Sequence, residues 1–286
     1  MTDRYAVAGN PIAHSKSPII HTEFAKQTGQ GMSYKAILVP LDRFAKDVNA
    51  FIAHGGKGMS VTLPFKLQAF ALATEKSARA LDAGAVNTLK FCDGSIYGDN
   101  TDGVGLARDI TQNLGIDLRG KRVLLIGAGG AARGVIYPLL LEAPQSLTVV
   151  NRTFATAEKL IARYFQISFF KPINLVALQF NQLIGKSYDI VINATSSSVN
   201  DEKLPLPKGI FAKGSLAYEM MYGKGVTPFL HFAREEGAAK TSDGLGMLVE
   251  QAAEAFHLWR GVRPDTKPIF VKLKKLVASD SSPKAK

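Results

Sequence analysis

Cysteine is nearly absent from this chain of 286 residues, in which Cys92 is the only one. A single cysteine excludes an internal disulfide and a metal centre built from cysteine thiolates. The five histidines show no metal-ligand spacing, so no metal site is expected. The N-terminal residues also lack a signal-peptide h-region, and together with the low cysteine content this predicts a reducing, cytoplasmic location.

Long hydrophobic runs are missing as well, although 46% of the residues are hydrophobic. No apolar stretch reaches membrane-spanning length, so no membrane association is expected. Bases outnumber acids, 35 to 24, but the lysines are scattered and no nucleic-acid motif accompanies them. We therefore expect no nucleic-acid partner. The formal charge of +11 instead suits a site for small anionic substrates and phosphorylated cofactors.

What the chain does contain is a dinucleotide-binding turn near its middle, at residues 122–134. The sequence RVLLIGAGGAARG runs from an apolar strand into closely spaced glycines and then into a predicted helix. Gly127 allows the tight turn, Gly129 lets the backbone approach a pyrophosphate, and Ala132 is small enough for the helix to pack on the strand. The next predicted strand ends near Arg152, which suits a 2′-phosphate better than the acidic residue of an NAD site does. This combination predicts NADP binding.

Strand and helix patterns alternate on both sides of that turn. The strands predicted before it occupy residues 5–8, 34–39, 58–61 and 85–91, and Asp93-Gly94 predicts a hairpin to a further strand at 95–97. After a helix at 103–114, the predicted strands at 122–126, 147–150, 189–192 and 215–218 alternate with helices at 131–142 and 153–165. This second pattern is typical of a parallel, doubly wound sheet. The predicted fold is therefore α/β with two cores.

Polar residues follow the first group of strands where each strand is expected to end, which is where open α/β sheets bind ligands. Ser17 stands before Pro18 and is either a helix N-cap or a ligand group, and Asp42 is predicted to cap the following helix. Lys66 follows an apolar, proline-containing loop, although a lysine read alone is more often an exposed residue at a helix start. Asp102, read alone, is more often a helix cap.

Nine motifs, taken together in this order, resemble the shikimate dehydrogenase family. They are GNPIAHSKSP, SVTLPFK, AGAVNT, GDNTDG, IGAGGAARG, VNRT, INATS, YEMMYGKGVTPFL and DGLGMLVEQAA. The resemblance runs from Tyr5 to about Pro268, and the combination is highly specific, whereas each motif alone fits several families.

The resemblance implies two α/β domains facing a cleft, an N-terminal substrate domain and a Rossmann-type NADP-binding domain, with the C-terminal helices returning to the substrate domain. It assigns residues 1–101 plus 246–286 to the substrate domain and 102–245 to the NADP-binding domain. The implied activity is the reversible NADPH-dependent reduction of 3-dehydroshikimate to shikimate in chorismate and aromatic amino-acid biosynthesis. The implied partner is this small-molecule substrate, and the implied assembly is a monomer or homodimer.

Individual residues receive roles from the same resemblance. Lys66 and Asp102 are the implied catalytic pair, with the Lys66 ammonium stabilising and protonating the carbonyl oxygen and Asp102 directing it. The implied substrate-binding residues are Ser15, Ser17, Thr62, Asn87, Asp102 and Gln251. The implied cofactor-binding residues are Gly127, Ala128, Gly129, Gly130, Ala131, Asn151, Arg152, Thr153, Met220, Tyr222 and Gly244.

Two departures from the family pattern bear on specificity. Ser60 stands where an asparagine is common, so one polar contact or loop tie is expected to be altered. Residues 154–157 supply no second basic residue after Arg152, so the preference for NADP is expected to be looser than usual. One alternative is a quinate/shikimate dehydrogenase with relaxed cofactor use, against which Arg152 argues. The other is a non-catalytic dinucleotide-binding regulator, against which the retention of both Lys66 and Asp102 argues.

Overall fold

The computed structural model describes residues 2–167, 174–197, 202–223 and 225–280. By internal contacts the chain divides into two compact units, and each contains helices and a β-sheet, which confirms the predicted α/β class. The first unit comprises Met1–Gly105 and Leu248–Val271, and the second comprises Leu106–Met247 and the chain from Lys272 onward. The domain assignment expected from the sequence, 1–101 plus 246–286 and 102–245, stays a prediction.

The first unit contains short helices between strands. Its strands are β1 (Asp3–Gly9), β2 (Met32–Leu38), β3 (Gly56–Val61), β4 (Glu75–Lys76), β5 (Thr88–Cys92) and β6 (Ser95–Asp99). Its helices are α1 (Ser17–Thr28), α2 (Phe44–Ala53), α3 (Lys66–Leu72), α4 (Ala78–Ala83) and the start of α5 (Asp102–Arg108), which continues as a π-helical turn at Asp109–Asn113. The long α9 (Leu245–Arg260) belongs to this unit from Leu248, and α10 (Lys267–Asp280) follows it.

The first sheet has the strand order β2-β1-β3-β5-β6-β4. β2, β1 and β3 are parallel, whereas β5 and β6 form the predicted antiparallel hairpin through Asp93 and Gly94. Because β1 and β3 are parallel neighbours, the loops that follow them begin side by side. The loops carrying the serines and Lys66 therefore start at one edge of the sheet.

The only tryptophan, Trp259 on α9, fixes that helix to the first sheet. Its indole Nε1 donates a hydrogen bond to the Leu89 carbonyl oxygen at 2.9 Å, and its ring lies 4.9 Å from the ring of Tyr5. A Cβ at Gly58 would lie 2.5 Å from the indole nitrogen, so only glycine fits beneath the ring. This packing sets the position of α9, which carries Gln251.

The second unit repeats a strand–helix pattern around a parallel sheet. Its strands are β7 (Arg122–Ile126), β8 (Ser146–Val150), β9 (Asn174–Leu178), β10 (Tyr188–Asn193), β11 (Phe211–Glu219) and β12 (Lys240–Ser242). Its helical segments include α6 (Gly130–Leu141), α7 (Phe154–Ile167), a 3₁₀ turn (Phe180–Leu183) and α8 (Pro228–Glu235).

The second sheet has the order β12-β11-β10-β7-β8-β9 and is parallel throughout, which is the Rossmann order with its switch point between β7 and β10. β7 is buried on both faces. Val123 and Leu125 pack in one apolar cluster, and Leu124 and Ile126 pack in another. A continuous apolar strand of this kind is typical of a parallel sheet covered by helices on both faces.

Local details differ from the predictions at helix starts and short strands. The N-cap of α1 is Lys16 rather than Ser17, and the N-cap of α2 is Arg43 rather than Asp42; within the described residues neither helix has a side-chain cap hydrogen bond. β5 begins at Thr88, after the predicted start, because the residues before it hydrogen-bond in a loop. No helix within the described residues is long and apolar enough to cross a membrane.

A buried histidine lies on α1 in the first unit. His21 is 1% exposed, its ring stacks on Tyr34 with the centroids 4.2 Å apart, and within the described residues its Nδ1 has no hydrogen-bond partner. Because burial penalises the charged ring, the pKa of His21 is lowered from 6.5 to about 3. His21 is therefore neutral in the folded protein at pH values above about 3.

His21 predicts acid sensitivity of the fold. Between pH 6.5 and about 3 the unfolded chain binds a proton that the folded chain does not bind, so stability falls as the pH falls. This group alone lowers the free energy of unfolding by about 1.4 kcal/mol per pH unit in that window. His21→Phe is expected to flatten this slope in urea titrations, whereas the control His257→Gln, at an exposed position on α9, leaves it unchanged. Equal slopes for both variants would contradict the prediction.

Candidate functional site

Lys66 and Asp102 form a close ion pair in the first unit. Lys66 is the first residue of α3 and Asp102 the first of α5, and the Lys66 Nζ donates to Asp102 Oδ2 at 2.5 Å. Their side chains are 20% and 10% exposed, so the pair is largely shielded while Lys66 keeps a path to solvent. The predicted catalytic pair is thus brought together.

The side-chain amide of Asn87 holds this pair in place. Its Nδ2 donates to Asp102 Oδ1 at 2.8 Å, so Asn87 and Lys66 occupy different oxygens of one carboxylate. The same Nδ2 lies 3.5 Å from Gln251 Oε1, which brings α9 to the cluster. The backbone adds a further tie, because the amide of Val86 donates to the Lys66 carbonyl oxygen at 3.0 Å. Lys66, Asn87, Asp102 and Gln251 therefore form one connected group.

Thr101 is a member of this group that sequence reasoning missed. Its hydroxyl is fully buried, accepts from Asn87 Nδ2 at 3.0 Å and is 3.4 Å from Gln251 Oε1. Its backbone amide donates to Asn87 Oδ1 at 2.9 Å. A threonine in a polar loop carries no distinctive signal, but its place beside Asp102 in the GDNTDG motif is the one hint available.

Ser15, Ser17 and Thr62 lie at the same sheet edge but outside the connected group. The Thr62 methyl group packs over Gly9, where a Cβ would come within 2.5 Å of it, and the Thr62 amide donates to the Ala8 carbonyl oxygen. The Ser15 hydroxyl accepts from the Ser17 amide at 3.3 Å. In the described part of the chain these three side chains make no hydrogen bond to Lys66, Asn87, Asp102 or Gln251.

Ser60, where an asparagine is common in the family, has a defined partner. It is half-buried on β3 and its Oγ accepts a hydrogen bond from the hydroxyl of Tyr34 on β2 at 2.7 Å. Burial raises the pKa of Tyr34, so the phenol stays protonated and remains a donor. The serine is therefore tied to the strand on the far side of β1.

In the second unit, the glycine turn has the form that a dinucleotide requires. Gly127 has φ of 112°, which favours glycine, and a Cβ there would lie 3.1 Å from the Thr195 side chain. Gly129 and Gly130 are exposed at the start of α6 and, apart from chain neighbours and the helix backbone, no described heavy atom would lie within 4 Å of a Cβ at either. Open backbone at a helix N-terminus fits a pyrophosphate.

The remaining turn residues are placed consistently with this fit. Ala128 is buried and presents only its backbone, Ala131 is exposed in the first turn of α6, and Ala132 is fully buried where the helix meets the sheet. Ala132 belongs to the apolar cluster of the second unit, where a small residue is predicted. The turn lies at the carboxyl end of β7, beside the switch point of the sheet.

Asn151, Arg152 and Thr153 follow β8 and lie at its carboxyl end. The Arg152 side chain is 91% exposed, and its partner Glu202 is 3.9 Å away and itself half-exposed. Asn151 Nδ2 donates to the Thr153 carbonyl oxygen at 2.9 Å, which shapes the short segment after the strand. An extended arginine with one weak pairing is available to a phosphate group.

Met220 and Gly244 are in direct backbone contact. A Cβ at Gly244 would lie 2.1 Å from the Met220 carbonyl oxygen, so the turn can approach only because position 244 is glycine. Tyr222 is half-buried nearby in sequence, and burial raises the pKa of its hydroxyl. These three residues, implied by the family resemblance to bind the cofactor, all lie at the carboxyl end of β11 or in the turn after β12.

Glu219, which sequence reasoning also missed, organises the loop that carries Met220 and Tyr222. It is fully buried at the end of β11 and its Oε1 accepts from the Met221 amide at 3.0 Å. Its Oε2 accepts from Asn193 Nδ2 at 2.8 Å and from the Thr227 hydroxyl at 3.3 Å. Glu219 therefore fastens both ends of this loop to the end of β10.

Three family models match the chain. The shikimate dehydrogenase substrate binding domain matches residues 7–89, the shikimate/quinate 5-dehydrogenase model matches 106–201, and the shikimate 5′-dehydrogenase C-terminal domain matches 244–269. The first match covers the strands that position Lys66 and Asn87, and the second contains the glycine turn.

Curated relatives match nearly the whole chain. A shikimate dehydrogenase (NADP(+)) of Methylobacillus flagellatus is 57% identical over 95% of this chain and 99% of its own, and one of Dechloromonas aromatica is 58% identical over 97% and 100%. Among solved structures, an Ael1 enzyme from Pseudomonas putida is 51% identical with a TM-score of 0.89, covering 95% of this chain and 98% of that one. The shikimate 5-dehydrogenase of Thermus thermophilus in complex with NADP(H) and shikimate is 31% identical with a TM-score of 0.84, covering 96% and 99%.

A Rossmann sheet with an open glycine turn and a shielded lysine–carboxylate pair define a dinucleotide-dependent oxidoreductase. With the sequence identities above, the assignment becomes specific. The chain belongs to the shikimate dehydrogenase family, as its motifs predict.

The Thr101 contacts predict a measurable role in stability. Thr101→Val keeps the shape of the side chain but removes the hydroxyl that Asn87 and Gln251 share. We expect the free energy of unfolding to fall by about 1 to 3 kcal/mol, since buried polar partners lose a hydrogen bond. Thr101→Ser, which retains the hydroxyl, is the control in urea denaturation. Equal stability of the valine and serine variants would contradict the assignment.

Proposed function

We propose that this protein catalyses the reversible NADPH-dependent reduction of 3-dehydroshikimate to shikimate in aromatic amino-acid biosynthesis. The observation that carries the proposal is the 2.5 Å contact between Lys66 Nζ and Asp102 Oδ2, set among amide side chains in the first unit. Membership of the shikimate dehydrogenase family supports it. So do relatives named as NADP(+)-dependent enzymes and a structural neighbour described in complex with NADP(H) and shikimate.

Lys66 supplies the proton in this reaction. Bound NADPH supplies a hydride to the carbonyl carbon of the substrate, so negative charge develops on the carbonyl oxygen. The Lys66 ammonium stabilises that charge and donates a proton to the oxygen, which yields the hydroxyl of shikimate. The partial exposure of Lys66 lets solvent restore its proton. In the reverse direction, neutral Lys66 removes the hydroxyl proton.

Asp102 orients Lys66 and binds the substrate. Its carboxylate accepts from Lys66 on one oxygen and from Asn87 on the other, so the ammonium is aimed from a fixed anchor. Asn87 and Gln251 present further polar groups beside the pair to hydroxyls of the substrate. Ser15 and Ser17, in the loop after β1 and at the start of α1, and Thr62, directly after β3, would add hydroxyl groups that bind the substrate carboxylate and hydroxyls.

NADP would be held by the second unit. The Gly127–Gly130 turn leaves room for a pyrophosphate at the start of α6, and exposed Arg152 can pair with the 2′-phosphate. The proposed cofactor-binding residues are Gly127, Ala128, Gly129, Gly130, Ala131, Asn151, Arg152, Thr153, Met220, Tyr222 and Gly244. The residues from Gly127 to Ala131 would face the pyrophosphate, and those from Asn151 to Thr153 would lie at the adenosine phosphate. The last three would line the nicotinamide.

The proposal includes a division of labour between the units. The proposed substrate domain is residues 1–101 plus 246–286 and the proposed NADP-binding domain is 102–245, with Asp102, the first residue of the latter, also acting in the substrate site. A cytoplasmic location and a monomeric or homodimeric assembly are parts of the same proposal. The low cysteine content supports the first of these.

The direct test is absorbance of NADPH formed from NADP and shikimate. We expect turnover with shikimate and NADP, weaker turnover with NAD, and little with quinate. Comparable rates with quinate or NAD would favour the broader quinate/shikimate enzyme, which the absence of a second basic residue at 154–157 makes the second candidate. Absence of turnover on every pairing would leave a non-catalytic regulator.

Removing the proton donor predicts loss of catalysis without loss of binding. Lys66→Ala is expected to lower kcat by about 100- to 10,000-fold, the usual contribution of general acid–base catalysis. Shikimate binding, measured by calorimetry, and the melting temperature serve as readouts that the fold is intact. Lys76→Ala, another partly buried lysine of the first unit, is the matched control and is expected to keep kcat. A near-normal kcat for Lys66→Ala would sink the mechanism.

Arg152 predicts cofactor preference. Arg152→Ala is expected to raise KM for NADP by about 10- to 100-fold while KM for NAD changes little, because only NADP carries the phosphate that this guanidinium pairs with. Lys186→Ala removes one exposed positive charge elsewhere in the second unit and controls for general electrostatics. A parallel change in both KM values would show that Arg152 does not discriminate.

A further inference from the structure

Arg79, on α4, lies outside every motif discussed so far but contacts the end of β6, which leads to Asp102, and α9, which carries Gln251. Its guanidinium grips Asp99 with two parallel hydrogen bonds, from Nε to Oδ1 at 2.7 Å and from Nη2 to Oδ2 at 2.6 Å. The third nitrogen, Nη1, lies 3.0 Å from Oε1 of Glu254 on α9. Two-point pairing of this kind fixes orientation as well as distance.

Asp99 is the residue through which Arg79 reaches the catalytic loop. It is 2% exposed at the end of β6, and its Oδ1 also accepts from the Asn100 amide at 2.7 Å and the Ser77 hydroxyl at 2.5 Å. Its carbonyl oxygen accepts from the Asn87 amide at 3.0 Å. Asp99 therefore anchors both the chain that leads to Asp102 and the residue that holds Asp102.

Glu254 is the residue through which Arg79 reaches Gln251. Glu254 and Gln251 lie one turn apart on α9. Arg263 donates a hydrogen bond to Glu254 Oε2 at 2.8 Å. Burial acts to lower the pKa of Arg79, but the hydrogen bonds and the attraction to Asp99 and Glu254 outweigh it. The pKa of Arg79 therefore lies above its ordinary value. The guanidinium thus stays charged between two carboxylates.

We propose that Arg79 is a positioning residue that sets the spacing between the Asp99–Asp102 segment and α9, so that Lys66, Asp102 and Gln251 act on one substrate. At the site, Thr101 of this segment and the neighbouring Asn87 reach α9 through long contacts to Gln251 Oε1, at 3.4 and 3.5 Å. Arg79 adds a stronger link, because it pairs with Asp99 at one end and Glu254 at the other. This proposal rests on the proposed function.

Arg79→Lys tests the proposal because it keeps the charge but cannot grip Asp99 and Glu254 together. We expect kcat/KM for shikimate to fall by about 10- to 100-fold through a higher KM and a lower kcat, as small misplacements of catalytic groups do. The pH profile of kcat is expected to move, since the placement of Lys66 against Asp102 changes. NADP affinity is expected to stay unchanged.

Arg260→Lys is the matched control. Arg260 is a similarly buried arginine of the same unit that pairs with Asp3 and hydrogen-bonds Gln30, remote from every proposed substrate residue in the hydrogen-bond network. It is expected to lose stability as Arg79→Lys does, yet keep KM, kcat and the pH profile. Matching kinetics for the two variants would overturn the proposal, because Arg79 would then contribute only to stability.

Glu254→Gln keeps the test decisive if Arg79→Lys does not fold. It weakens only the arm that reaches α9, so KM for shikimate is expected to rise severalfold while kcat changes less. An unchanged KM would overturn the proposal. Turnover of shikimate by the wild-type protein is measured in the same series, so a failed Arg79 comparison with an active wild type would leave the proposed function standing.

Discussion

The amide side chain of Asn87 is the contact on which the arrangement of the first unit's polar site depends. Lys66 Nζ contacts one carboxylate oxygen of Asp102, and Asn87 Nδ2 donates a hydrogen bond to the other. The Asn87 Oδ1 in turn accepts from the Thr101 amide and the Thr88 hydroxyl, so the amide group cannot rotate without breaking several hydrogen bonds. A neutral side chain thus determines where a charged pair points, without adding charge that would perturb it.

Burial explains why neutral amide and hydroxyl side chains, rather than charged ones, surround the Lys66–Asp102 pair. Asn87, Thr88 and Thr101 are almost inaccessible to water, where an unpaired polar atom is costly and a fully paired network is rigid. Rigidity here matters for chemistry, because proton transfer depends on the direction of a donor as much as on its presence. The sheet contributes to the same end, since Asn87 precedes β5 and Asp102 follows β6, the two strands of one hairpin.

The architecture followed from patterns that reflect the physics of burial. Strands β7, β8 and β10 are rich in buried apolar residues because both faces of the sheet are covered, and this composition is visible in the sequence. β4 and β12, of two and three residues, are too short to show any periodicity, and β9 is partly exposed at the sheet edge. The interpretation of Ser17 as the N-cap of α1 was wrong. Its side chain suits a cap, but the helix already begins at Ser17 and Lys16 is the N-cap.

The site divides along a similar line. Lys66 and Asp102 were identified through motifs although 36 residues separate them, and Gln251, 164 residues from Asn87, came only from family resemblance. Thr101, Glu219 and Arg79 carry no local signature, since their roles arise from contacts that only the folded chain creates. The tight turn at Gly244 has one more implication. A β-carbon at position 244 would overlap the Met220 carbonyl oxygen, so protein engineering of this turn has to leave Gly244 in place and vary its neighbours instead.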